Sequence, residues 1–99
     1  MRNYKAKIAK YRLPKQRYTY LREYCLNSDR GERLVIETAI HNAFGDDQIG
    51  KFIYRHVVST DFNWPALEAN HIPCSRDTFR IYRAKFFYEL DQLLKRGGF

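Results

Sequence analysis

Two prolines and the residues that follow them divide the last third of the chain, and they constrain the fold more than any other feature. Pro65 suits the first position of a helix, where its missing N–H costs nothing. Pro73 forbids a continuous helix through this region. Ser75 is a good N-cap, because its hydroxyl can accept from free backbone N–H groups two or three residues on. Since Gly97 and Gly98 end the apolar pattern that follows, the sequence predicts a short helix, a turn and a long helix.

The segment before Gly45 carries helical periodicity. Residues 18–26 have apolar side chains at i, i+1, i+4 and i+5, which favours a short amphipathic helix, although their alternating aromatic start is also compatible with a strand. A turn cluster at 27–31 then precedes a helix that Ser28 is expected to cap. The predicted core faces of these two helices are Tyr20, Leu21, Tyr24 and Cys25, and then Leu34, Val35, Thr38, Ala39 and Asn42.

Two more helices are predicted between Gly45 and the turn at Pro73. Asp46 and Asp47 fit the acidic start of the first, because anions are favoured at the positive end of the helix dipole. Its apolar stripe comprises Ile49, Phe52, Ile53, His56 and Val57. The second is the short helix, which is expected to end near Asn70, since Asn tolerates the left-handed conformation. With no strong strand signal, the fold class predicted is all-α, a small helical bundle.

The N-terminal segment 1–17 differs in composition from the rest. It is rich in Lys and Arg, has no acid, and contains Pro14, which would interrupt a helix. We interpret it as a mobile or weakly helical basic arm, either a solubilising tail or a phosphate-binding arm. The remaining residues, 18–99, have the length of one domain, and hydrophobic residues at 44% of the chain are too many for intrinsic disorder.

Charge and cysteine content narrow the classes of partner and compartment. A formal net charge of +7 favours nucleic acid or an anionic surface. The segment from Met1 to Lys15 lacks the apolar core of a signal peptide, and no apolar run reaches the roughly 20 residues that span a bilayer. Cys25 and Cys74 do not make a disulfide framework. We therefore expect a cytoplasmic protein with reduced thiols and no membrane partner.

The long helix separates into two faces when its residues are placed at about 100° each. The predicted core face comprises Phe79, Tyr82, Phe86, Leu90 and Leu93, with Phe87 and Leu94 on one flank. The opposite arc comprises Arg76, Asp77, Thr78, Arg80, Ile81, Ala84 and Lys85. Arg83 lies near the core edge, where its stem could pack while its head reaches a phosphate.

The outward residues have the chemistry of base recognition. Arg can bind a guanine edge, Asp can accept from a cytosine amino group, and Ile and Ala suit a thymine methyl. A short helix, a turn and a longer helix that begins with cations also form the helix-turn-helix pattern. The alternative is a soluble cationic surface, but Ile81 is hard to explain there. We predict a helix-turn-helix at 64–96 that binds double-stranded DNA.

The same residues carry a resemblance to known families. The segment 75–85, SRDTFRIYRAK, is similar to the recognition helix of region 4 of sigma-70-type factors. Residues 60–95 more closely resemble the C-terminal half of late transcriptional regulators of phages and prophages in Gram-positive bacteria, the RinA and ArpU type. The matching positions are Trp64, Ser75, Thr78-Phe79, Tyr82-Arg83 and Phe86. Residues 32–59 match only loosely, and residues 1–30 do not match usefully.

The resemblance implies a sigma-like regulator, an activator of late or packaging genes in a bacterial host. By position, the base-reading residues would be Arg76, Asp77, Arg80 and Ile81, while Arg83, Lys85 and the basic arm would hold phosphates. Family members often have an aromatic residue and then Arg at positions 80 and 81, so the target sequence is not inherited. Ser75 and Thr78 complete the predicted DNA-binding residues.

Other functions remain as alternatives. A small terminase or packaging subunit also uses a helix-turn-helix, and the sigma-like helices could instead bind RNA polymerase. A second copy of the chain is a further candidate partner. Because the chain is short beside the family it resembles, we expect a further oligomerisation segment of that family to be missing from it. RNA or a membrane surface has only the net charge in its favour.

No catalytic or metal-binding motif stands out in the sequence. His71 and Cys74 have an H-x-x-C spacing, but zinc needs four converging ligands with paired spacing. Asp46 and Asp47 are adjacent and do not converge on a helix, so capping is the better interpretation. There is no Gly-rich phosphate loop and no nucleophile beside a base. We expect no cofactor and no enzymatic activity.

Overall fold

The computed structural model describes the backbone of residues 4–96 and the side chains of residues 7–96, and over this range the chain is all-helical, as predicted. The six helices are α1 (Tyr4–Ala9), α2 (Lys15–Leu26), α3 (Arg30–Phe44), α4 (Ile49–Val58), α5 (Trp64–Ala69) and α6 (Arg76–Lys95). The longest of them, α6, contacts α1, α2, α3 and α4. The helix with the predicted functional surface is therefore also the centre of the fold.

Capping residues explain where the helices begin. Ser75 caps α6 as predicted, by accepting from the backbone N–H of Thr78. The predicted cap of α3 is wrong by one residue, since Asp29 forms a capping box with Glu32. The hydroxyl of Ser28 instead donates to the carbonyl of Cys25 at 2.7 Å. An Asp in extended conformation offers two oxygens to the free N–H groups, and here it occupies the position before the first helical turn.

The predicted helix ends at Gly45 and Asn70 had different outcomes. Gly45 does end α3, with a φ of 60° that favours glycine. Asn70 ends α5 with a φ of −97°, and the left-handed residue is His71, with a φ of 61°. Because Asn70 stays on the right-handed side, its amide is free to donate to the carbonyl of Ala66 at 2.8 Å.

The core is built on the predicted face of α6. Phe79, Phe86, Phe87, Leu90 and Leu93 are all buried, and Tyr82 and Leu94 pack against them. The predicted stripe of α4 is also confirmed, with Ile49, Ile53 and Val57 buried and Phe52 and His56 half-buried. In both helices the apolar residues recur with the spacing of a single face, so the wheel and the packing agree.

The predicted face of α3 is rotated from the observed one. Leu34 is 62% exposed, and Thr38 and Asn42 are also exposed. The buried residues are Val35, Ile36, Ala39 and Ala43. The two sets differ by about one residue, which is about 100° on a helix. The prediction was wrong on this side of α3 because it counted Leu34, an exposed leucine at the edge of the apolar stripe, as a core residue.

The N-terminal segment belongs to the folded unit. Tyr11, which follows α1, packs its ring against Tyr88 of α6 at 5.7 Å between centroids. Leu13 packs against the core, and Pro14 immediately precedes α2, which therefore begins three residues before the predicted 18–26. The strand alternative for that segment is wrong, because residues 15–26 are helical. Of the predicted basic arm, residues 4–9 and 15–17 are helical and α1 packs against α6, whereas residues 1–3 lie outside the described part of the chain.

Candidate nucleic-acid interface

The beginning of α6 is held by its own side chains. The Ser75 Oγ lies 3.2 Å from the backbone N of Thr78 and 3.0 Å from its Oγ1. Because one hydroxyl accepts from the backbone N–H and donates to the threonine, both side chains are used in fixing the first turn. Ser75 and Thr78 therefore position the helix and have less capacity left for a nucleic acid.

Four predicted base-reading residues share the first two turns of α6. Arg76 and Arg80 are exposed, whereas Asp77 and Ile81 are partly exposed. Arg80 Nη1 lies 3.9 Å from Asp77 Oδ1, with both side chains about half exposed. An exposed pair at this distance contributes little and is easily exchanged for another partner. The structure thus brings together two cations, one carboxylate and one apolar side chain on an accessible surface, which we call the α6 start.

Aromatic packing on Phe79 fixes both α4 and α5 beside the α6 start. Trp64 and His56 contact Phe79, with ring centroids at 5.6 Å and 5.1 Å respectively. Asn63 caps α5 by accepting from the N–H of Ala66. The connection between α5 and α6 covers residues 70–75, which is longer than the turn of about three or four residues in typical helix-turn-helix motifs. The order of elements agrees with the prediction, and the motif itself stays a prediction.

Arg83 does not join the α6 start. Its guanidinium lies over the rings of Tyr18 and Phe87, at 5.3 Å from each centroid. It lines a cavity on the α2 side of the helix together with Arg22 and His56. Burial lowers the pKa of Arg83 below its ordinary value, and the Arg22 charge acts in the same direction. The side chain therefore faces the interior rather than the surface on which Arg76 and Arg80 lie.

Lys85 and Ala84 lie on the flanks of the predicted surface. The Lys85 Nζ is 5.9 Å from the ring centroid of Phe44, so the lysine stem packs on the end of α3. Ala84 lines a depression together with Ile8, Tyr11 and Leu13, all from the N-terminal segment. Residues 8–13 of the N-terminal segment therefore lie against α6 near Ala84 and Tyr88. The exposed cations of this segment are Lys7, Lys10, Arg12 and Lys15.

Charged groups that the sequence pattern did not indicate lie in the interior of the fold. Asp91 is completely buried and accepts from Arg17 Nε, while its other oxygen lies 3.1 Å from Lys95 Nζ. Arg22 and His56 face Arg83 across the cavity. Asp91 and Lys95 form an ordinary i, i+4 pair, and Asp91 lies about 120° from Phe79 on the helical wheel, on the same arc as Ala84, so the sequence gives no sign of its burial.

Metal binding finds no support in residues 7–96, where no group of three or more His, Cys, Asp or Glu side chains lies close enough to hold an ion. Gln48 is the N-cap residue of α4 and makes no side-chain capping bond, but Asp47 just before it accepts through Oδ1 from the N–H of Ile49 at 2.9 Å. That contact agrees with the capping role expected for the acidic pair. Cys74 and Cys25 are both free thiols.

The two thiols are expected to differ in reactivity. Cys25 is completely buried, and burial raises its pKa to about 12, while Cys74 is partly exposed beside the α6 start with a pKa raised by burial to a smaller extent. Thiolates react and thiols do not, so raising the pKa slows alkylation. Titration with a maleimide should modify Cys74 in the native protein and both cysteines in denaturant. Equal rates of native labelling would contradict the buried position of Cys25.

None of the helices in the described residues is long and apolar enough to cross a membrane. Comparison with known proteins gives no assignment, because no protein-family model, no curated protein and no solved structure matches the chain.

Proposed function

We propose that the chain binds duplex DNA sequence-specifically through the α6 start and regulates transcription of phage or prophage late genes. The observation that carries this proposal is the composition of the exposed surface of Arg76, Asp77, Arg80 and Ile81. Cations alone would suit a uniform phosphate field, whereas a cation, an acid and an apolar side chain within two turns suit base edges in the major groove.

The surrounding charges support the same proposal. The chain has a net charge of +7, and exposed lysines and arginines of the N-terminal segment lie beside α6. In such an arrangement the arm and Lys85 hold phosphates, and the α6 start contacts bases. Arg83 is left out of this set because its guanidinium is packed against two rings.

Arg80→Ala tests the base-reading role once a site has been found by selection from random duplexes. We expect a loss of about 1–3 kcal/mol in binding to the selected site and a relaxed preference at one base pair. Lys85→Ala should instead weaken all sequences alike and lower the slope of affinity against salt by about one. Both effects are measured by fluorescence anisotropy at several salt concentrations.

Arg30→Ala is the matched control, because it removes the same charge from an exposed position at the start of α3. It should change affinity much less than Arg80→Ala and leave the selected sequence unaltered. If Arg80→Ala and Lys85→Ala both bound DNA like the unaltered chain at low salt, the proposed interface would be wrong.

The regulatory role is tested separately from DNA binding. We propose that the protein acts in the cytoplasm of the bacterial host, with RNA polymerase as a further partner. A gene position just before terminase genes, and activation of the adjacent promoter in purified transcription, would support a regulator. A ring-forming oligomer that binds DNA without affecting transcription would instead support a small terminase subunit.

A further inference from the structure

A small cavity between α2, the end of α4 and α6 collects positive and hydrogen-bonding groups. Its volume is about 110 Å³, whereas one buried water needs only about 10–15 Å³ of comparable space. The polar side chains that line it are Arg22, His56, Ser59, Thr60, Asn63 and Arg83, and no carboxylate is among the lining residues. Two arginines therefore face one space from two helices without an acid between them.

The guanidinium of Arg83 is held in place by its neighbours, but its hydrogen-bonding capacity is not fully used. The rings of Tyr18 and Phe87 flank its guanidinium, each at 5.3 Å from the centroid. Its Nε is buried and has no hydrogen-bond partner among the described residues. An unpaired buried donor on a charged group costs free energy unless a partner arrives. The π contacts fix the plane of the guanidinium, and its Nε–H is available to an acceptor.

Ser59 and Asn63 also retain donors, whereas the free ring nitrogen of His56 becomes a donor only when the ring is protonated. His56 Nδ1 donates to the carbonyl of Phe62 at 2.9 Å, because a carbonyl can only accept, so the neutral ring has an unprotonated Nε2. Asn63 accepts from the N–H of Ala66 through Oδ1, which leaves its amide N–H groups for other acceptors. Ser59 likewise accepts from the N–H of Asp61, and its own hydroxyl proton remains available.

We propose that this cavity is a binding site for a phosphate-class oxyanion, held by Arg22 and Arg83 and closed by Ser59, Thr60 and Asn63. Two guanidinium groups provide the charge and the bidentate donors that tetrahedral oxyanions prefer. The site does not depend on the proposed DNA interface, because none of the four residues of the α6 start that were assigned to bases lines it. The shared chemistry is a phosphate group, either of a free ion or of a nucleic-acid backbone.

His56 provides a direct measure of occupancy. Burial lowers its pKa, the Phe62 carbonyl acts in the opposite direction, and the charges of Arg83 and Arg22 lower it further. The remaining neighbour is the Phe79 ring, which is uncharged. An anion between the arginines would stabilise the imidazolium and raise the pKa of His56. Sulfate is the first probe, because it stays fully ionised throughout the range in which His titrates.

The test is an NMR titration of the His56 ring with pH, in sulfate and in chloride at equal ionic strength. We expect sulfate to raise the pKa of His56 and to shift the Nε–H signals of Arg22 and Arg83, with phosphate acting alike. Chloride should have no such effect beyond screening. A duplex DNA added in place of sulfate distinguishes the sources. If DNA raised the pKa of His56 and sulfate did not, the site would be assigned to backbone phosphate.

Arg22→Gln is the main variant, because Arg22 is exposed and its loss should leave the fold intact. Sulfate affinity should fall roughly tenfold, as expected for one charge-assisted contact. Arg33→Gln, at an exposed position outside the cavity, is the matched control and should bind sulfate normally. Arg83→Lys keeps the charge but loses the planar donors, and should also weaken binding. If neither sulfate nor DNA raised the pKa of His56, or if Arg22→Gln responded like the unaltered chain, the proposal would be overturned.

Discussion

Arg17→Met is expected to destabilise the protein by about 3 kcal/mol, because it leaves a buried carboxylate without its main partner. Asp91 has no exposed surface, and Arg17 Nε donates to its Oδ1 across the contact between α2 and α6. Breaking a buried pair costs far more than breaking an exposed one, since the remaining charge cannot be hydrated. For a domain of this size the loss corresponds to a fall of more than about 10 °C in the melting temperature. Urea denaturation and thermal unfolding by circular dichroism both measure it.

Lys95→Met is the matched control, because Lys95 contacts the same carboxylate at 3.1 Å but is 61% exposed. Its removal should cost less than about 1 kcal/mol. The double variant Arg17→Met with Asp91→Leu should recover much of the loss, because no charge is then left buried. An Arg17→Met protein as stable as the Lys95→Met protein would show that the pair does not hold α2 against α6.

Phe86→Ala is the second large effect, with an expected cost of about 3–5 kcal/mol. Phe86 has no exposed surface and stacks edge-on against Phe87 at 5.1 Å between ring centroids. Its removal takes away the transfer free energy of the ring and leaves a cavity at the centre of the bundle. Because domains are stable by only about 5–15 kcal/mol, the variant should be close to unfolding at room temperature.

Comparing Leu34→Ala with Phe86→Ala tests whether the cost of removing a large apolar side chain depends on its burial. Leu34 is a large apolar residue that the sequence pattern places in the core, but it is 62% exposed in the structure. Its replacement should change the free energy of unfolding by no more than about 0.5 kcal/mol. A cost near that of Phe86→Ala would show that the face of α3 is the one predicted from the sequence. Both variants are compared by urea denaturation.

The predictions that succeeded depend on local physics. Ser75 caps α6, Gly45 ends α3, and the stripe of α4 is buried, because each is decided by neighbours within a turn or two. The error at Ser28 is also local, since Asp29 competes for the same free N–H groups and prevails from the position nearest the helix. The rotated face of α3 has a different origin. Which edge of an apolar stripe is covered depends on the helices packed against it.

In the candidate site, too, some features follow from local helix geometry and others depend on packing between helices. Most of the α6 start follows from the sequence, because the angle between residues on a helix places Asp77, Arg80 and Ile81 away from Phe79. Arg76 is only about 60° from Phe79 on the wheel, and it is exposed at the first residue of α6. The direction of Arg83 does not follow from that angle. A long flexible side chain at the core edge can extend to either side, and the rings of Tyr18 and Phe87 decide which.

Caps, prolines and apolar periodicity act over short distances, so the helical class, the main helix ends and most of the surface at the α6 start follow from the residues alone. Long-range packing, by contrast, places Tyr11 against α6, buries Asp91 against Arg17, and brings Arg22, His56 and Arg83 around one cavity. These contacts join residues far apart in the chain. Their free energy depends on which surfaces are excluded from water together, and no local pattern specifies that.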